Sequence, residues 1–574
     1  MSDMHVKTTR IEGAGKSAMD IARNRLMVAG LLFLAAFAAM AFRTLELGLS
    51  TPGNSGFSRA AALVTVAPLS YSRAEILDRN GEVLATNLEV ASLYVDPQKI
   101  DDPRKVANEL VAILPEFTVA EMEKKLTLPQ RKFVWIKRHL SPDQKWRINA
   151  LGYPALKFQD EERRIYPYGR LASHVLGFVD VDGKGLGGIE RSFDSTLSWR
   201  DENDSPRAGE PIRTALDIRV QHALAEELGA AIRAHKAKGG AGIVMDVRSG
   251  EVVAMVSMPD FDPNDPAASP AEARFNRVSQ GVYELGSTLK TFTVAKALEQ
   301  NIVHMEDMID ARKPIRVAGY TISDDHGKAR MMSVPEVFVF SSNIGMSRIV
   351  DEMGPELQRQ FMADIGLLQP TTLEIQEIGN PLIPRRWGRL ASMTISYGHG
   401  LSISPAQLST GIAAMVNGGR LVPATLLAKD EADISAIESA RQVISASTSR
   451  DIRKLLRMTV VKGTGSKAEA LGYRVGGKTG TAEKAIAGGY DKKALISSFM
   501  GVFPMDDPQY VVFALLDEPE GTRATHNFAG GGWTAAPVVR NVIVRSAPLL
   551  GIQPISENQS LYTRVAHLID DEKR

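Results

Sequence analysis

The chain has 574 residues, 44% hydrophobic and 24% charged, with a formal net charge of +1, which is enough for two or three domains with real cores and gives no reason to expect nucleic acid as a partner. Cysteine is absent, so disulfides and thiolate metal sites are excluded. The ten histidines are scattered with no His-Glu-x-x-His among them, and neither a metal nor another cofactor is expected.

Residues 1–25 are polar, and Lys7, Arg10, Lys16, Arg23 and Arg25 outnumber Asp3, Glu12 and Asp20. Leu26 to Phe42 then gives seventeen uncharged, mostly apolar residues, near the lower limit of roughly 17–25 for a bilayer-spanning helix. The basic excess before it puts the N-terminus in the cytoplasm. A signal peptide cleaved near Ala39-Met40-Ala41 is the competing reading; the long charged stretch ahead of the apolar run favours a single transmembrane helix over 26–42. Either way the rest of the chain lies outside the cytoplasm.

From 44 to 204 the composition is mixed. Ile76-Leu77 and Val83-Leu84 flank Asn80-Gly81, a local hairpin signal. Val106, Leu110, Ile113 and Leu114 keep helical spacing, and Ser141-Pro142 ahead of Trp146 and Ile148 reads as a helix cap with proline in the first turn. Arg163 through Phe193 is glycine-rich and reads as loop. No catalytic cluster stands out, so 44–204 is expected to be a non-catalytic spacer or docking module. The polar run Arg200 to Arg207, with Pro206 near its end, marks a boundary.

A second domain is expected over 208–554. Ile218 to Ile232 reads as an amphipathic helix, Gly242 to Asp246 and Val252 to Ser257 as strands joined at Ser249-Gly250, Arg474 to Ala482, Ser497 to Val502 and Tyr510 to Leu516 as later strands, and Ala535 to Val544 as a closing helix. Helices before and after antiparallel strands, with a helical insertion between them, give an α+β class: an antiparallel sheet packed by helices with a helical subdomain. Residues 555–574 form a polar tail with no structural signal.

Three short motifs carry the chemistry. In Tyr283-Glu284-Leu285-Gly286-Ser287-Thr288-Leu289-Lys290, a hydroxyl and an amine stand three positions apart where an apolar helix begins, on one face and one turn apart. Serine needs a neighbour to take its proton, and a lysine whose ammonium is disfavoured by burial can do so. Ser341-Ser342-Asn343 follows before an apolar stretch, and Lys478-Thr479-Gly480-Thr481 comes later. Ser-x-x-Lys, Ser-x-Asn and Lys-Thr-Gly in this order are the signature set of penicillin-binding proteins and class A β-lactamases. Gly476, Gly477 and Gly480 weaken their strand unless another backbone comes close, and a substrate peptide added alongside it is the expected backbone.

With these motifs in place the chain resembles the class B penicillin-binding proteins, most closely the division-specific (FtsI) type, along nearly its whole length. Further landmarks are Asn276-Arg277, Ile76-Leu77-Asp78-Arg79-Asn80-Gly81, Gly187-Gly188-Ile189-Glu190, Tyr397-Gly398-His399-Gly400 and Lys478 to Glu483 followed by Gly489-Tyr490. Leu285 stands where proline is usual, and Ala74 where glycine is. The resemblance implies a peptidoglycan D,D-transpeptidase of the inner membrane, with a periplasmic catalytic domain on a pedestal of the type called the dimerisation domain. Ser287 is then the nucleophile, Lys290 its base and Ser341 a proton relay. Asn343 holds the substrate amide, Lys478, Thr479 and Gly480 receive the terminal carboxylate, and the backbone N–H groups of Ser287 and Thr481 form the oxyanion hole. Implied partners are stem peptides ending in D-Ala-D-Ala, an amine acceptor, β-lactams and an FtsW-type septal glycan polymerase. A β-lactamase, a D,D-carboxypeptidase and a non-catalytic β-lactam receptor or scaffold share the motifs and stay open as alternatives.

Overall fold

The structure, a computed structural model, describes residues 25, 27–28, 30–42, 73–198, 209–325, 327–430, 433, 440–486 and 489–555. Residues 30–42 are helical and every described side chain there is exposed. Among the described residues no helix is long and apolar enough to cross a membrane. Most of 1–25, the boundary run Arg200 to Arg207 and the tail beyond 555 lie outside the described residues.

Residues from Ser70 onward form one unit. Its first part is built on β1 (Ile76–Leu77) and the long β2 (Val83–Val95), joined by the turn at Asn80-Gly81 that the sequence announces. Helices α1 (Pro103–Val111) and α2 (Val119–Leu126) follow, then β3 (Val134–Leu140), α3 (Pro142–Ala150) and β4 (Leu156–Ile165). Ser141 caps α3 through a reciprocal box with Gln144, and Pro142 sits in the first turn, where its missing N–H costs nothing. Strand β2 pairs antiparallel with both β3 and β4. The head of this part has its own core of Leu93, Leu110, Met122, Ile136 and Ile148. The segment read as loop after Arg163 is more ordered than expected: β4 runs to Ile165, and Gly188–Ser192 is a short helix.

That short helix places Glu190, wholly buried, between two buried arginines. Arg73 donates Nε to Glu190 Oε2 at 2.5 Å, and Arg164 donates Nε to Oε1 at 2.7 Å. Asp194 takes a second Arg73 nitrogen at 2.6 Å. No periodicity signals this network, because its members are far apart in sequence.

The sheet of the first part takes its last strand, β5 (Ile212–Arg213), parallel to β1 and from beyond the expected boundary. Then come α4 (Ile218–Ala234), β6 (Gly239–Asp246), β7 (Val252–Met258) and α5 (Lys290–Glu299). The helical insertion contributes α6 (Val334–Val339), α7 (Asn343–Met353), α8 (Arg389–Ser396), α9 (Pro405–Val416) and α10 (Ala446–Lys462). The chain returns through β8 (Gly476–Ile486), β9 (Gly489–Phe503) and β10 (Tyr510–Asp517) to α11 (Ala535–Ser546). The five strands run antiparallel in the order β8-β9-β10-β6-β7, which leaves β8 at an edge. One face of the sheet packs on α4 and α11 through Val220, Leu224, Val512, Val539 and Val542. The opposite face joins Phe292, Met346, Ile412 and Leu455 of the helical insertion in a core that reaches Ile76 and Leu84 of the first part. Both parts therefore share buried side chains.

Candidate active site

Ser287 is set by a backbone crossing. Tyr283 pairs with Ile403 through two backbone hydrogen bonds of 2.9 and 3.0 Å, and the chain then tightens into a 3-10 turn over Gly286–Leu289 before α5 begins at Lys290. In a 3-10 turn residues i and i+3 eclipse, so Ser287 and Lys290 remain on one side. Gly286 is left-handed at φ +55°, and a Cβ there would lie 2.6 Å from Thr481 O. A Cβ on Gly398 would lie 1.8 Å from Gly286 O. The turn that carries Ser287 is thus clamped between β8 and the Tyr397-Gly398-His399-Gly400 segment after α8.

The Lys290 amine passes Ser287. It bonds Ser341 O at 2.6 Å, Ser341 Oγ at 3.0 Å and Asn343 Oδ1 at 2.7 Å, and no bond to the Ser287 hydroxyl is present. This corrects the direct reach expected from helical spacing: the 3-10 turn starts the α-helix at Lys290 itself, and its side chain runs to the loop between α6 and α7.

That loop holds an unusual residue. Ser341 has φ +63°, a left-handed position that glycine normally fills at a helix end. Ser341 N–H donates to Phe338 O and Ser342 N–H to Val337 O, the two bonds of a Schellman cap. A serine in that position puts its hydroxyl between two lysines, since Lys478 also donates to Ser341 Oγ at 3.0 Å. Next, Ser342 caps α7, and Asp324 lies over the same helix end. Asp324 accepts from Ser342 Oγ at 2.7 Å, Asn343 N at 2.5 Å and Ile344 N at 2.9 Å. Asn343 is thereby held with Oδ1 on Lys290 and Nδ2 on Ser323 O at 3.3 Å.

On β8 successive side chains alternate. Lys478 runs inward to Ser341, while Thr479 and Thr481 line a cleft of about 580 Å³ together with Ser287, Ser341 and Asn343. Lys478 is fully buried and does not line the cleft. The glycines of this strand serve a different purpose from the one expected. A Cβ on Gly480 would lie 2.4 Å from Leu285 O, one on Gly477 2.4 Å from Met500 O, and one on Gly476 2.6 Å from Met505 Cε. Close approach is the reason for all three, but what approaches is the protein itself, above all the turn before Ser287.

Burial disfavours the ammonium of both lysines. It holds Lys290 well below the usual lysine range, and the Lys478 charge adds to the effect against a smaller opposing pull from Asp324 and Asp325. Burial alone brings Lys478 down to about 7. The Lys290 amine donates to Ser341 O, Ser341 Oγ and Asn343 Oδ1, and Lys478 donates to Ser341 Oγ as well, so this hydroxyl accepts from both lysines and keeps its own proton to give.

The far wall of the cleft was not read from the sequence. Trp533 stacks on Phe528 at 5.6 Å and carries the Lys467 ammonium 3.9 Å above its ring. Gly531 N–H donates to Thr481 Oγ1 at 3.0 Å. The run Gly530-Gly531-Gly532-Trp533 was the available signal for a chain passing close to β8. Asp324 and Asp325 gave none, as one acidic pair after a short strand looks like many others.

This is the mixed α+β fold of the penicillin-binding protein transpeptidases. A family model for the penicillin binding protein transpeptidase domain matches residues 240–543, and one for the penicillin-binding protein dimerisation domain matches residues 68–203. The chain is 38% identical over 496 residues to the probable peptidoglycan D,D-transpeptidase FtsI of Caulobacter vibrioides, covering 85% of this chain and 82% of that protein. It is 27% identical to the peptidoglycan D,D-transpeptidase FtsI of Escherichia coli over 85% of each chain. Among solved structures, penicillin binding protein 3 of Mycobacterium tuberculosis in complex with aztreonam has the same fold, with a TM-score of 0.66 at 22% identity over 85% of this chain and 98% of that one. The chain belongs to the class B penicillin-binding proteins.

Proposed function

We propose that this chain is a peptidoglycan D,D-transpeptidase that cross-links stem peptides during cell division through an acyl-serine intermediate and is acylated by β-lactams. The observation that carries the reading is the meeting of two buried lysines at Ser341, which lines one cleft with a half-buried Ser287.

Ser287 Oγ attacks the carbonyl of the penultimate D-alanine and yields its proton to neutral Lys290, the base. Its amine donates to Ser341 Oγ, and Ser341 lines the cleft, so the proton passes from Lys290 through Ser341 to the departing D-alanine nitrogen. The developing oxyanion faces the backbone N–H groups of Ser287 and Thr481, whose nearness is supported by the Gly286 contact with the Thr481 backbone. Thr479 and Thr481 offer hydroxyls to the terminal carboxylate at the level of Gly480, with the Lys478 charge behind them. Asn343 Nδ2 trades its long bond to Ser323 O for the substrate amide. The unpaired edge of β8 supports docking of the donor peptide as an added strand. A second peptide's amine then displaces Ser287 and closes the cross-link.

In this reading residues 1–25 lie in the cytoplasm, 26–42 cross the inner membrane once, 44–204 form the pedestal, 208–554 the periplasmic transpeptidase domain and 555–574 a polar tail. An FtsW-type septal glycan polymerase is the expected partner in the same membrane. The test is acylation of the detergent-solubilised full chain by a labelled penicillin with the adduct mapped by mass spectrometry. Label on Ser287 is expected; label elsewhere, or retained in Ser287→Ala, removes the assignment.

A further inference from the structure

The mechanism above makes no use of His399. His399 lines the same cleft as Ser287, Tyr397 and Asp325. Two contacts fix its position. The Gly286 carbonyl presses on Gly398, and Gly400 N–H donates to Glu284 Oε1 at 2.9 Å. The segment 398–400 is therefore laid along 284–286, and His399, midway, lines the cleft with Ser287. Its ring is held edge-on to Tyr490, centroids 5.6 Å apart, and tilted against Tyr397 at 5.5 Å. Tyr490 is itself fixed by donating to Glu284 Oε1 at 3.1 Å. Within this cage His399 Nδ1 is enclosed and has no hydrogen-bond partner among the described residues, which leaves Nε2 as the ring nitrogen available to a reagent in the cleft that His399 lines.

We propose that His399 is the general base of the acceptor half-reaction, taking a proton from the attacking amine that Asp325 attracts into the cleft. This rests on the transpeptidase reading given above. The acceptor nitrogen forms its bond to the acyl carbon and the carbon–Oγ bond to Ser287 breaks. The proton lost by nitrogen goes to the imidazole, and Ser287 Oγ is reprotonated through Lys290, which draws the proton of the Lys478 ammonium by way of Ser341. The imidazolium then releases its proton to solvent, and the lysine pair regains one from it, so protons balance over the turn.

Charge supports the assignment. Burial lowers His399 below the ordinary histidine range, a charge on Lys290 pushes the same way and Asp325 opposes it, so the imidazole is neutral at neutral pH and has a ring nitrogen free to accept a proton. The other groups facing it are phenols and one carboxyl. Tyr397 is pushed up to about 12 by burial, Tyr490 is raised by burial and Glu284, and Glu284 is itself raised by burial. Neither phenol titrates near neutrality. Glu284 is the one carboxyl among these groups, and Glu284→Gln separates its contribution.

The experiment uses the full chain in detergent with an N-acyl-D-alanyl thioester as donor and D-alaninamide as acceptor. Thiol release reads acylation and the new amide reads aminolysis. In both His399→Gln and His399→Phe, which keeps an aromatic ring in the cage, the ratio of amide to thiol is expected to fall ~10²-fold, the low end for loss of a general base. The acid limb of aminolysis seen in the parent chain disappears with it. Asp325→Asn is expected to raise the D-alaninamide concentration needed for half-maximal aminolysis. If both His399 variants keep the parental ratio, or lose thiol release in equal measure, the proposal is wrong. If the parent chain itself releases no thiol and takes up no labelled penicillin, the transpeptidase reading has failed first.

Discussion

Lys290 and Lys478 converge on one oxygen, each with Nζ 3.0 Å from Ser341 Oγ and neither exposed to solvent. Two ammonium groups so placed and so buried disfavour each other, and the pair sheds its first proton far below the usual lysine range. The rate of acylation by a fluorescent penicillin follows neutral Lys290. It is therefore lost toward acid pH and reaches its plateau well below the ordinary lysine value of 10.5.

Lys478→Met gives the sign. Removing the neighbouring cation takes away one of the two forces that hold Lys290 down, so the Lys290 pKa rises and the acid limb of acylation moves to higher pH. Stopped-flow acylation across the acid and alkaline range measures it. A limb that stays in place while acylation persists would mean that the two amines are not coupled.

Asp324→Asn moves the same limb the other way. Asp324 favours the charged form of Lys290, and neutralising it lowers the Lys290 pKa and shifts the limb toward acid. The carboxylate also closes the N-terminus of α7 with three hydrogen bonds. Asparagine keeps the Oδ1 acceptor and caps about as well as aspartate, so the melting temperature is expected to stay close to the parent's while the limb moves. Opposite shifts in the two variants are the discriminating result; shifts of the same sign would show that both act by loosening the loop.

The parts legible in the sequence were those written locally. Amphipathic period gave α4, apolar runs gave β6, β9 and β10, Asn80-Gly81 gave the first hairpin, and the three triplets gave the near side of the cleft. What stayed hidden depends on distant segments meeting. The left-handed Ser341 follows from a helix cap that carries no glycine, and the Lys290 contacts follow from a 3-10 turn that periodicity cannot separate from an α-turn. The glycines of β8 announced close approach but not its partner. Asp324, Trp533 and the Arg73–Glu190–Arg164 network join residues across long separations, and single-residue identity says nothing of such meetings.

Gly398→Ala tests the clamp on the nucleophile. A Cβ at this position would lie 1.8 Å from Gly286 O, and the residue sits at φ +99°. The Gly286 carbonyl must give way, and the adjacent Ser287 moves with it; a displacement of about 1 Å at a reacting group costs ~10²-fold in rate. Gly319→Ala is the control, since Gly319 has φ +82° but nothing within 4 Å of an added Cβ. Acylation is expected to drop in the first and persist in the second. Equal effects would assign the loss to backbone strain alone.

Glu190→Ala tests the buried network of the first part. Arg73 and Arg164 both depend on Glu190, which also takes the Tyr166 hydroxyl at 3.3 Å. Removing the carboxylate leaves Arg164 without an acidic partner and Arg73 with Asp194 alone. Breaking a buried pair in this way typically costs about 3–5 kcal/mol, because the surviving charge has lost its solvent as well as its partner. Denaturant unfolding of the full chain in detergent is expected to show a loss of that size. Glu190→Gln should fall between, since an amide keeps one acceptor oxygen but no charge to face two guanidinium groups. The cost of Ala over Gln then measures the hydrogen bonds, and the cost of Gln over the parent measures the charge. If Gln is as stable as the parent, the network holds by hydrogen bonding alone, and the charge on Glu190 is not what joins β4 to the short helix that carries it.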